Sequence, residues 1–353
     1  MRPVNLLCGA LSLMTSVLFA ADQASANERS LRAPLVQQSL LLDIATLDSD
    51  TLLAVGERGH MLAVGTNDVQ QIVVPTKVTL TAVDVIDNHI WAAGHDATIL
   101  HSKDAGQTWQ LQLSMPELDR PFLDILMIDK ANGIAIGAYG LFYRTENGGE
   151  TWERELHASV LPQDDIDYLD SIRDDQVFYE EELSFILPHF NRLNKHQNML
   201  LLAGEAGLLA VSEDLGKSWQ RLTLDYNGSL FDFDAVPNMG FLAAGLRGNL
   251  FFTANLAEPF TPISTCTTAS INSVVESDDR LFLMANNGVA FSMKPSADII
   301  AQGTISNSEG CDMSTSLNLV SLETSEALLN ARPLKNQLVL VSAAGIIRSE
   351  LSQ

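Results

Sequence analysis

Basic residues are scarce in this sequence. Its 353 residues include 21 Lys and Arg against 44 Asp and Glu, which gives a net charge of −23. Proteins that bind nucleic acid present a basic surface to the phosphate backbone, and anionic lipid headgroups attract basic residues in the same way. The charge balance therefore argues against nucleic acid and anionic membrane surfaces as partners.

Long apolar runs are missing beyond the first 26 residues. Arg2 precedes the apolar stretch Leu6–Phe19, and Ala24-Ser25-Ala26 follows as a small-x-small cleavage site. The stretch suits a signal peptide and is shorter than the roughly 20 residues that a bilayer-spanning helix needs. We predict that residues 1–26 are a cleaved signal peptide and that the mature chain is periplasmic, without membrane insertion.

Cysteine is also rare. Of the three cysteines, Cys8 lies in the leader, so that Cys266 and Cys311 remain in the mature chain. The sequence contains no Cys-x-x-Cys and no His-x-x-x-His motif, and we expect no metal and no cofactor. Two cysteines in an exported protein favour a structural disulfide, with two buried free thiols as the alternative.

One pattern occurs seven times along the chain. Each copy has an apolar strand, a small residue, two variable residues, another small residue and a second apolar strand. We expect the first small residue to supply a positive φ at a tight hairpin turn. These residues are Gly56, Gly94, Gly137, Gly204, Gly245, Ala285 and Ser342. Most copies are spaced near the ~40–50 residues of a four-stranded blade, which predicts an all-β, seven-bladed β-propeller over residues 27–353.

A second motif follows three of these copies, in "HSKDAGQTWQ", "RTENGGETWE" and "VSEDLGKSWQ". A catalytic loop normally occurs once, so recurrence favours a structural role over metal binding or catalysis. We interpret the motif as an Asp-box, a hairpin between the third and fourth strands of a blade, with the Trp packed under the turn. Its residues are Ser102, Asp104, Gly106 and Trp109; Thr145, Asn147, Gly149 and Trp152; and Ser212, Asp214, Gly216 and Trp219.

The two motifs together resemble the photosystem II stability/assembly factor-like family of BNR/Asp-box propellers. The segment "FLDILMIDKANGIAIGAYGLFYRTENGGETWE", residues 122–153, is the clearest match. The resemblance implies a non-enzymatic factor that assists assembly of a membrane protein complex. Relatives in non-photosynthetic bacteria often accompany resistance-nodulation-division (RND) type exporters. Photosynthetic members are thought to use an Arg-rich surface, which this acidic chain does not show.

The third and fourth copies are 67 residues apart, which indicates an insertion over about residues 156–195. Its acidic residues and spaced apolar residues predict one or two short amphipathic helices. The insertion is a partner-docking element with Tyr168, Phe178 and Tyr179 exposed, or a solvated decoration. A calcium site is a further alternative, although the acidic residues lack EF-hand spacing.

We define the upper face as the one that carries the small-residue turns and the connections between blades. The insertion belongs to this face. Turn residues Arg58, His95, Tyr139 and Arg247 are candidates for partner contact there. Solvated turn residues are the alternative interpretation.

The segment "RAPLVQ", residues 32–37, precedes the first inner strand. Because the last blade has little room for a fourth strand, we expect this segment to complete blade seven and close the ring. We expect Cys266 and Cys311 in equivalent connections between adjacent blades, where a disulfide joins them.

The sequence therefore predicts a periplasmic assembly, stability or accessory factor that binds a membrane protein through the upper face and the insertion. A propeller that binds a sugar or another small ligand is the alternative. A sialidase-like glycosidase is the weakest reading, because it needs a converging Arg triad and a Tyr nucleophile. Few arginines fall where the ring could bring them together, namely Arg58, Arg247, and Arg120 or Arg192, and the first inner strand "LLLDIATL" has none.

Overall fold

The computed structural model describes residues 29–295 and 311–350. These residues form seven antiparallel sheets, six with four strands and one with three. In every sheet the strands follow chain order from the inner strand outward. The chain is a seven-bladed β-propeller, as predicted.

Blades one to three have the following strands. Blade one contains β1 (Leu41–Thr46), β2 (Thr51–Gly56), β3 (Met61–Gly65) and β4 (Val69–Ile72). Blade two contains β5 (Leu80–Ile86), β6 (His89–Gly94), β7 (Thr98–Ser102) and β8 (Gln110–Leu113). Blade three contains β9 (Phe122–Met127), β10 (Gly133–Gly137), β11 (Phe142–Thr145) and β12 (Glu153–Arg154).

Blades four to seven continue the same order. Blade four contains β13 (Phe190–His196), β14 (Met199–Gly204), β15 (Leu209–Ser212) and β16 (Gln220–Arg221). Blade five contains β17 (Leu230–Val236), β18 (Gly240–Gly245), β19 (Leu250–Thr253) and β20 (Thr261–Pro262). Blade six contains β21 (Ile271–Ser277), β22 (Arg280–Ala285), β23 (Ala290–Met293) and β24 (Leu317–Val320). Blade seven contains β25 (Leu328–Leu334), β26 (Gln337–Ser342) and β27 (Gly345–Glu350).

The small residue that opens each upper turn does not act as the sequence suggested. Gly56 and Gly137 have φ values of −173° and −174°, which is extended backbone. Glycine is needed there for space, because a Cβ on Gly56 would lie 2.1 Å from the Leu40 carbonyl oxygen. The positive φ occurs later in the turn, at Arg58 (56°) and Gly59 (68°).

Each inner strand contains a bulge near its start. In β1, Leu41 pairs with Gly56 and Asp43 pairs with Val55, so that Leu42 has no partner. The same shift in register occurs in the other six inner strands. A bulge sharpens strand twist and redirects side chains, and the residue after it carries many of the polar side chains described below.

The hydrophobic core is divided among the junctions between neighbouring blades. Trp152 of blade three packs with Ile99 of blade two, and Trp219 of blade four packs with Phe142 of blade three. Trp109 joins the cluster between blades one and two, and Phe260 joins the one between blades four and five. Each of these aromatic side chains therefore lies between its own blade and the preceding one.

The insertion is shorter than predicted. It runs between β12 and β13 and contains helices α1 (Gln163–Ser171) and α2 (Gln176–Ile186). Residues 190–195, which the sequence assigned to the insertion, form most of the inner strand of blade four. Phe190 and Leu193 are the buried residues of this strand, and its other residues are polar. The strand therefore lacks the apolar pattern of the other inner strands and was grouped with the acidic segment before it.

Residues 32–37 form no strand within the described part of the chain. Val36 instead packs with Val339 and Val341 at the junction of blades seven and one. The Ser30 backbone N–H donates to the Val74 carbonyl oxygen at 2.9 Å, which holds the preceding residues on blade one. The segment covers the closing junction of the ring without extending the blade-seven sheet.

A disulfide joins Cys266 to Cys311, with a Cα–Cα distance of 5.7 Å. Cys266 lies in the connection between blades five and six, as expected. Cys311, however, precedes the outer strand of blade six, because that strand forms where Leu317 pairs with Met293. The disulfide therefore ties the chain between the third and fourth strands of blade six to the connection before that blade.

Candidate functional site: the insertion-bearing face

The three Asp-box turns share two hydrogen bonds from backbone N–H groups to side chains. In the first, Asp104 Oδ1 accepts from the Thr108 backbone N–H at 2.8 Å, and Ser102 Oγ accepts from the Gly106 N–H at 2.9 Å. Hydrogen bonds from the Thr108 side chain and backbone lower the pKa of Asp104 to about 2. These carboxyl and hydroxyl groups are occupied within the turn, which favours the structural interpretation of the motif.

The Asp-box turns also bind the preceding blade. Trp91 Nε1 and Gln112 Nε2 of blade two donate to the Gly148 carbonyl oxygen at 3.3 and 2.9 Å. Arg144 of blade three donates in the same way to the carbonyl oxygens of Leu215 and Gly216, at 3.0 and 2.7 Å. The turns of blades three and four thus serve as acceptors at the junctions between blades.

Carboxylates on the inner strands hold neighbouring blades together. Asp43 Oδ2 accepts from the Val83 N–H of blade two at 2.9 Å. Asp84 and Asp124 each accept from the backbone of the next blade at 2.7 Å, and Asp232 does so at 2.6 Å. At the closing junction, Asn330 Nδ2 donates to Asp43 Oδ1 at 2.6 Å. Sequence analysis missed these residues, although acidic side chains recur at the third or fifth position of the inner strands.

Burial raises the pKa of carboxyl groups on the inner strands. It raises the pKa of Asp84 to about 6 and that of Asp234 to about 7. Burial also raises the pKa of Asp124 to about 7, against the opposing charge of Arg192, whose Nη1 lies 3.6 Å from Asp124 Oδ1. Raised carboxyl pKa values also occur in general acids. Asp84 and Asp124 are nevertheless engaged by the next blade, and we assign them to blade cohesion.

The insertion helices are fixed to the upper face by polar and apolar contacts. Arg221 donates to the Val160 carbonyl oxygen at 2.7 Å, and Arg154 donates to Ser184 Oγ at 2.8 Å. Leu169 of α1 and Leu183 of α2 are buried against blades three and four. The helices therefore lie on the propeller as a fixed platform.

Two predicted contact residues lie on this platform. Tyr168 of α1 donates its hydroxyl to Glu182 of α2 at 2.8 Å, and its side chain is half-exposed. Tyr179 is partly buried in the core beneath the helices, and the Arg173 guanidinium lies 5.6 Å from its ring centre. Tyr179 thus contributes more to packing than to the exposed surface.

Tyr139 lies where the blade-three turn meets the insertion. Its ring is 52% exposed, packs edge-on against His189 at 4.4 Å, and lies 5.3 Å from the Arg120 guanidinium carbon. The following Gly140 has a φ of 66°, and a Cβ there would lie 2.3 Å from Leu187 Cβ. Close contact between this turn and the end of α2 requires glycine and fixes Tyr139 beside the insertion.

An open groove runs along α2 and is lined in part by Arg120, the residue whose guanidinium lies against the Tyr139 ring. We call it the helix groove; its volume is about 490 Å³. Val177 and Phe185 lie along it with exposures of 68% and 82%. Its other lining residues include Arg120, Arg154, Leu156 and Glu180. Sequence analysis did not single out Val177 or Phe185, because an amphipathic helix pattern does not show which apolar residues remain uncovered.

The remaining predicted contact residues lie in other turns. Arg58 is 80% exposed and lies 3.8 Å from Glu57 within the blade-one turn. His95 is exposed in the blade-two turn, and Arg247 lies in the blade-five turn with a φ of 57°. The structure does not bring these three residues to the helix groove.

No group of three or more His, Cys, Asp or Glu side chains within residues 29–295 and 311–350 is arranged to hold a metal ion. No helix in that part of the chain is long and apolar enough to cross a bilayer.

A family model described as "Photosynthesis system II assembly factor YCF48" matches residues 22–325. The chain belongs to this YCF48 family. One curated relative, the photosystem II assembly lipoprotein Ycf48 of Synechococcus sp. (strain CC9902), is 33% identical over 78 residues, which cover 22% of this chain and 23% of the relative. The match thus spans about a quarter of that relative's length.

Two solved YCF48 structures share the fold. The first, described as YCF48 bound to D1 peptide, has a TM-score of 0.63 at 14% identity and covers 92% of this chain and 97% of its own. The second, YCF48 from Cyanidioschyzon merolae, has a TM-score of 0.62 at 15% identity, with coverages of 92% and 98%. At these identities the likeness concerns the fold alone.

Proposed function

We propose that this protein is a non-enzymatic, periplasmic assembly or stability factor for a membrane protein complex. Membership of the YCF48 family supports the role, since the family is described as an assembly factor and one relative is described as bound to a D1 peptide. An RND-type exporter is the partner class that the sequence resemblance suggests for a non-photosynthetic relative.

The observation that carries the proposal is the set of uncovered apolar side chains on the insertion. Val177, Phe178 and Phe185 are exposed on helix α2, and Val177 and Phe185 line the helix groove. Apolar side chains grouped on a surface and bordered by polar residues are typical of protein-binding sites. Acidic residues on both helices favour a partner segment with basic residues around an apolar centre.

Capture from detergent-solubilised membranes tests this proposal. The mature protein is used as bait and compared with the double variant Val177→Asp/Phe185→Asp. Both positions are exposed, so the fold should survive. The matched control is Leu215→Asp, which places a new carboxylate at an exposed leucine in an Asp-box turn.

We expect the wild-type and control baits to enrich the same integral membrane protein, with recovery reduced at least about tenfold for the double variant. Equal recovery by all three baits would show that the insertion is not the docking site. Glycan-array binding without any enriched membrane protein would favour the alternative of a sugar-binding propeller.

A further inference from the structure

The outer edge of blade seven is open within the described residues. Strand β27 (Gly345–Glu350) pairs with β26 and with no other described strand, whereas the other blades each have a fourth strand. An edge strand presents unpaired backbone N–H and C=O groups that can pair with another extended segment.

The other blades show what normally occupies this position. In blades two to five, an aromatic residue near the fourth strand packs on the preceding blade. Trp152 and Trp219 are almost fully buried in this way. These aromatic residues are Trp109, Trp152, Trp219 and Phe260. Blade seven, without a fourth strand among the described residues, has no counterpart to place against blade six.

A groove lies at that position, with a volume of about 430 Å³. We call it the blade-six groove. Phe282 and Met284 of blade six and Leu338 and Leu340 of blade seven form its apolar walls. Leu319 on the outer strand of blade six also lines the groove, with 65% of its side chain exposed. The volume is within the ~300–1,000 Å³ typical of binding pockets.

Two other occupants fit the structure less well. Residues 30–33 lie on blade one, because Ser30 bonds Val74 and Gln71 bonds the backbone of Leu31 and Ala33. Val36 packs at the junction of blades seven and one, and not at that of blades six and seven. A second copy of the chain would bring together two molecules that each carry a net charge of −23, and like charges oppose association.

We infer that an extended segment of a partner protein pairs with β27 and inserts a large apolar or aromatic side chain into the blade-six groove. Pairing of this kind is β-strand addition, in which the backbone supplies affinity and the pocket supplies specificity. This inference rests on the proposed function, since it assigns a second contact of the same partner. Ser349 of β27 lines the groove, so the partner side chain would pass beside it.

The probe is a synthetic peptide with the sequence of residues 106–114, GQTWQLQLS, which is the end of the blade-two Asp-box and its fourth strand. Isothermal titration calorimetry measures its binding to the mature protein. The variants are Ser349→Phe, which fills the groove, and Leu319→Ala, which removes an exposed apolar contact. Leu111→Ala is the matched control, because Leu111 is an exposed leucine on the outer strand of blade two. Its neighbour, blade three, has its own fourth strand, so the peptide should not bind beside Leu111.

We expect the peptide to bind the wild type and Leu111→Ala equally, and to bind Ser349→Phe and Leu319→Ala at least about tenfold more weakly. Replacing the peptide Trp with Ala should weaken binding to a similar extent. If Ser349→Phe fails to fold, Leu319→Ala still decides the question.

The inference would be overturned by no peptide binding to the wild type, by equal binding to every variant, or by binding only after residues 351–353 are removed. A dimer in analytical ultracentrifugation that Ser349→Phe dissociates would assign the groove to a second copy instead. Membrane-protein capture separates the two proposals. Capture that survives Ser349→Phe but not the helix-groove variant overturns the blade-six groove and leaves the proposed function standing. Peptide binding without capture overturns the proposed function, and with it the membrane-protein partner assigned to β27, but leaves the groove as a strand-binding site.

Discussion

Blades two to four and blades six and seven are stabilised by different means. In the first group, the hydrogen bonds of an Asp-box all lie within seven residues, for example within residues 212–218, and the Trp of the motif packs on the preceding blade. Blade six instead has a disulfide before its outer strand, and blade seven has three described strands. Local turn contacts thus stabilise the outer strands of blades two to four. Blade six relies on a covalent link, and the described residues of blade seven leave a groove where the other blades have a fourth strand.

The largest effect should come from the Asp-box side of this comparison. Trp152→Ala should lower the free energy of unfolding by about 3–5 kcal/mol, because it removes a large buried side chain from the junction of blades two and three. Leu319→Ala in blade six should change it by less than about 0.5 kcal/mol, because that side chain is exposed. Urea denaturation measures both. Equal effects would contradict the difference between the two regions.

Removal of the disulfide tests the other region. The double variant Cys266→Ser/Cys311→Ser should lose about 2–4 kcal/mol, since an unfolded chain without the cross-link gains conformational entropy. The control is wild-type protein with and without a reducing agent, which should reproduce the loss. Free-thiol titration under denaturing, non-reducing conditions gives the starting state. Two reactive thiols per chain in freshly prepared protein would contradict the disulfide.

The inner-strand carboxylates should give a smaller, pH-dependent effect. A carboxyl group whose pKa is raised on folding contributes stability that is complete below its unfolded pKa near 3.8 and is lost as pH rises through the folded value. For Asp84 and Asp234 this window extends from about pH 4 to about pH 6–7. Stability should therefore fall over this range, by about 1 kcal/mol per group, since both side chains are half-buried and solvent screens part of the effect.

Asp84→Asn and Asp234→Asn should each flatten this dependence. Asn keeps an oxygen that can accept the bond from the Met127 N–H, so the junction between blades two and three is preserved in Asp84→Asn. Asp104→Asn is the control, because hydrogen bonds lower the pKa of that carboxyl and place its titration near pH 2. Melting temperatures from pH 4 to 8 provide the measurement. A wild type that becomes more stable toward pH 7 would show that the sign is wrong.

The sequence predicted the seven-bladed ring because its signals are local. Apolar strands alternate with small-residue turns at a nearly constant spacing, and Asp104 and Thr108 form a turn whose bonds span only four residues. The insertion was located for the same reason, since extra residues interrupt a regular spacing. Its end was misplaced because Phe190–His196 carries polar residues on an inner strand.

The candidate sites depend on contacts between distant parts of the chain, which the sequence did not reveal. Tyr168 and Tyr139 were both named from the sequence, but only folding placed Tyr139 beside Arg120 and His189. Whether Val177 and Phe185 would be buried was undecided until the helices were placed on the upper face.

Repeat spacing and turn chemistry in the sequence thus determined the number of blades, the Asp-boxes and the presence of an acidic insertion, because each depends on residues close together in the chain. Tertiary structure alone decided which residues face one another across blade junctions. It placed Asp43 beside Asn330, which lies 287 residues away, and left the groove between blades six and seven without a strand from residues 29–295 and 311–350. Those outcomes depend on how the ring closes, and closure brings together residues whose separation leaves no local pattern in the sequence.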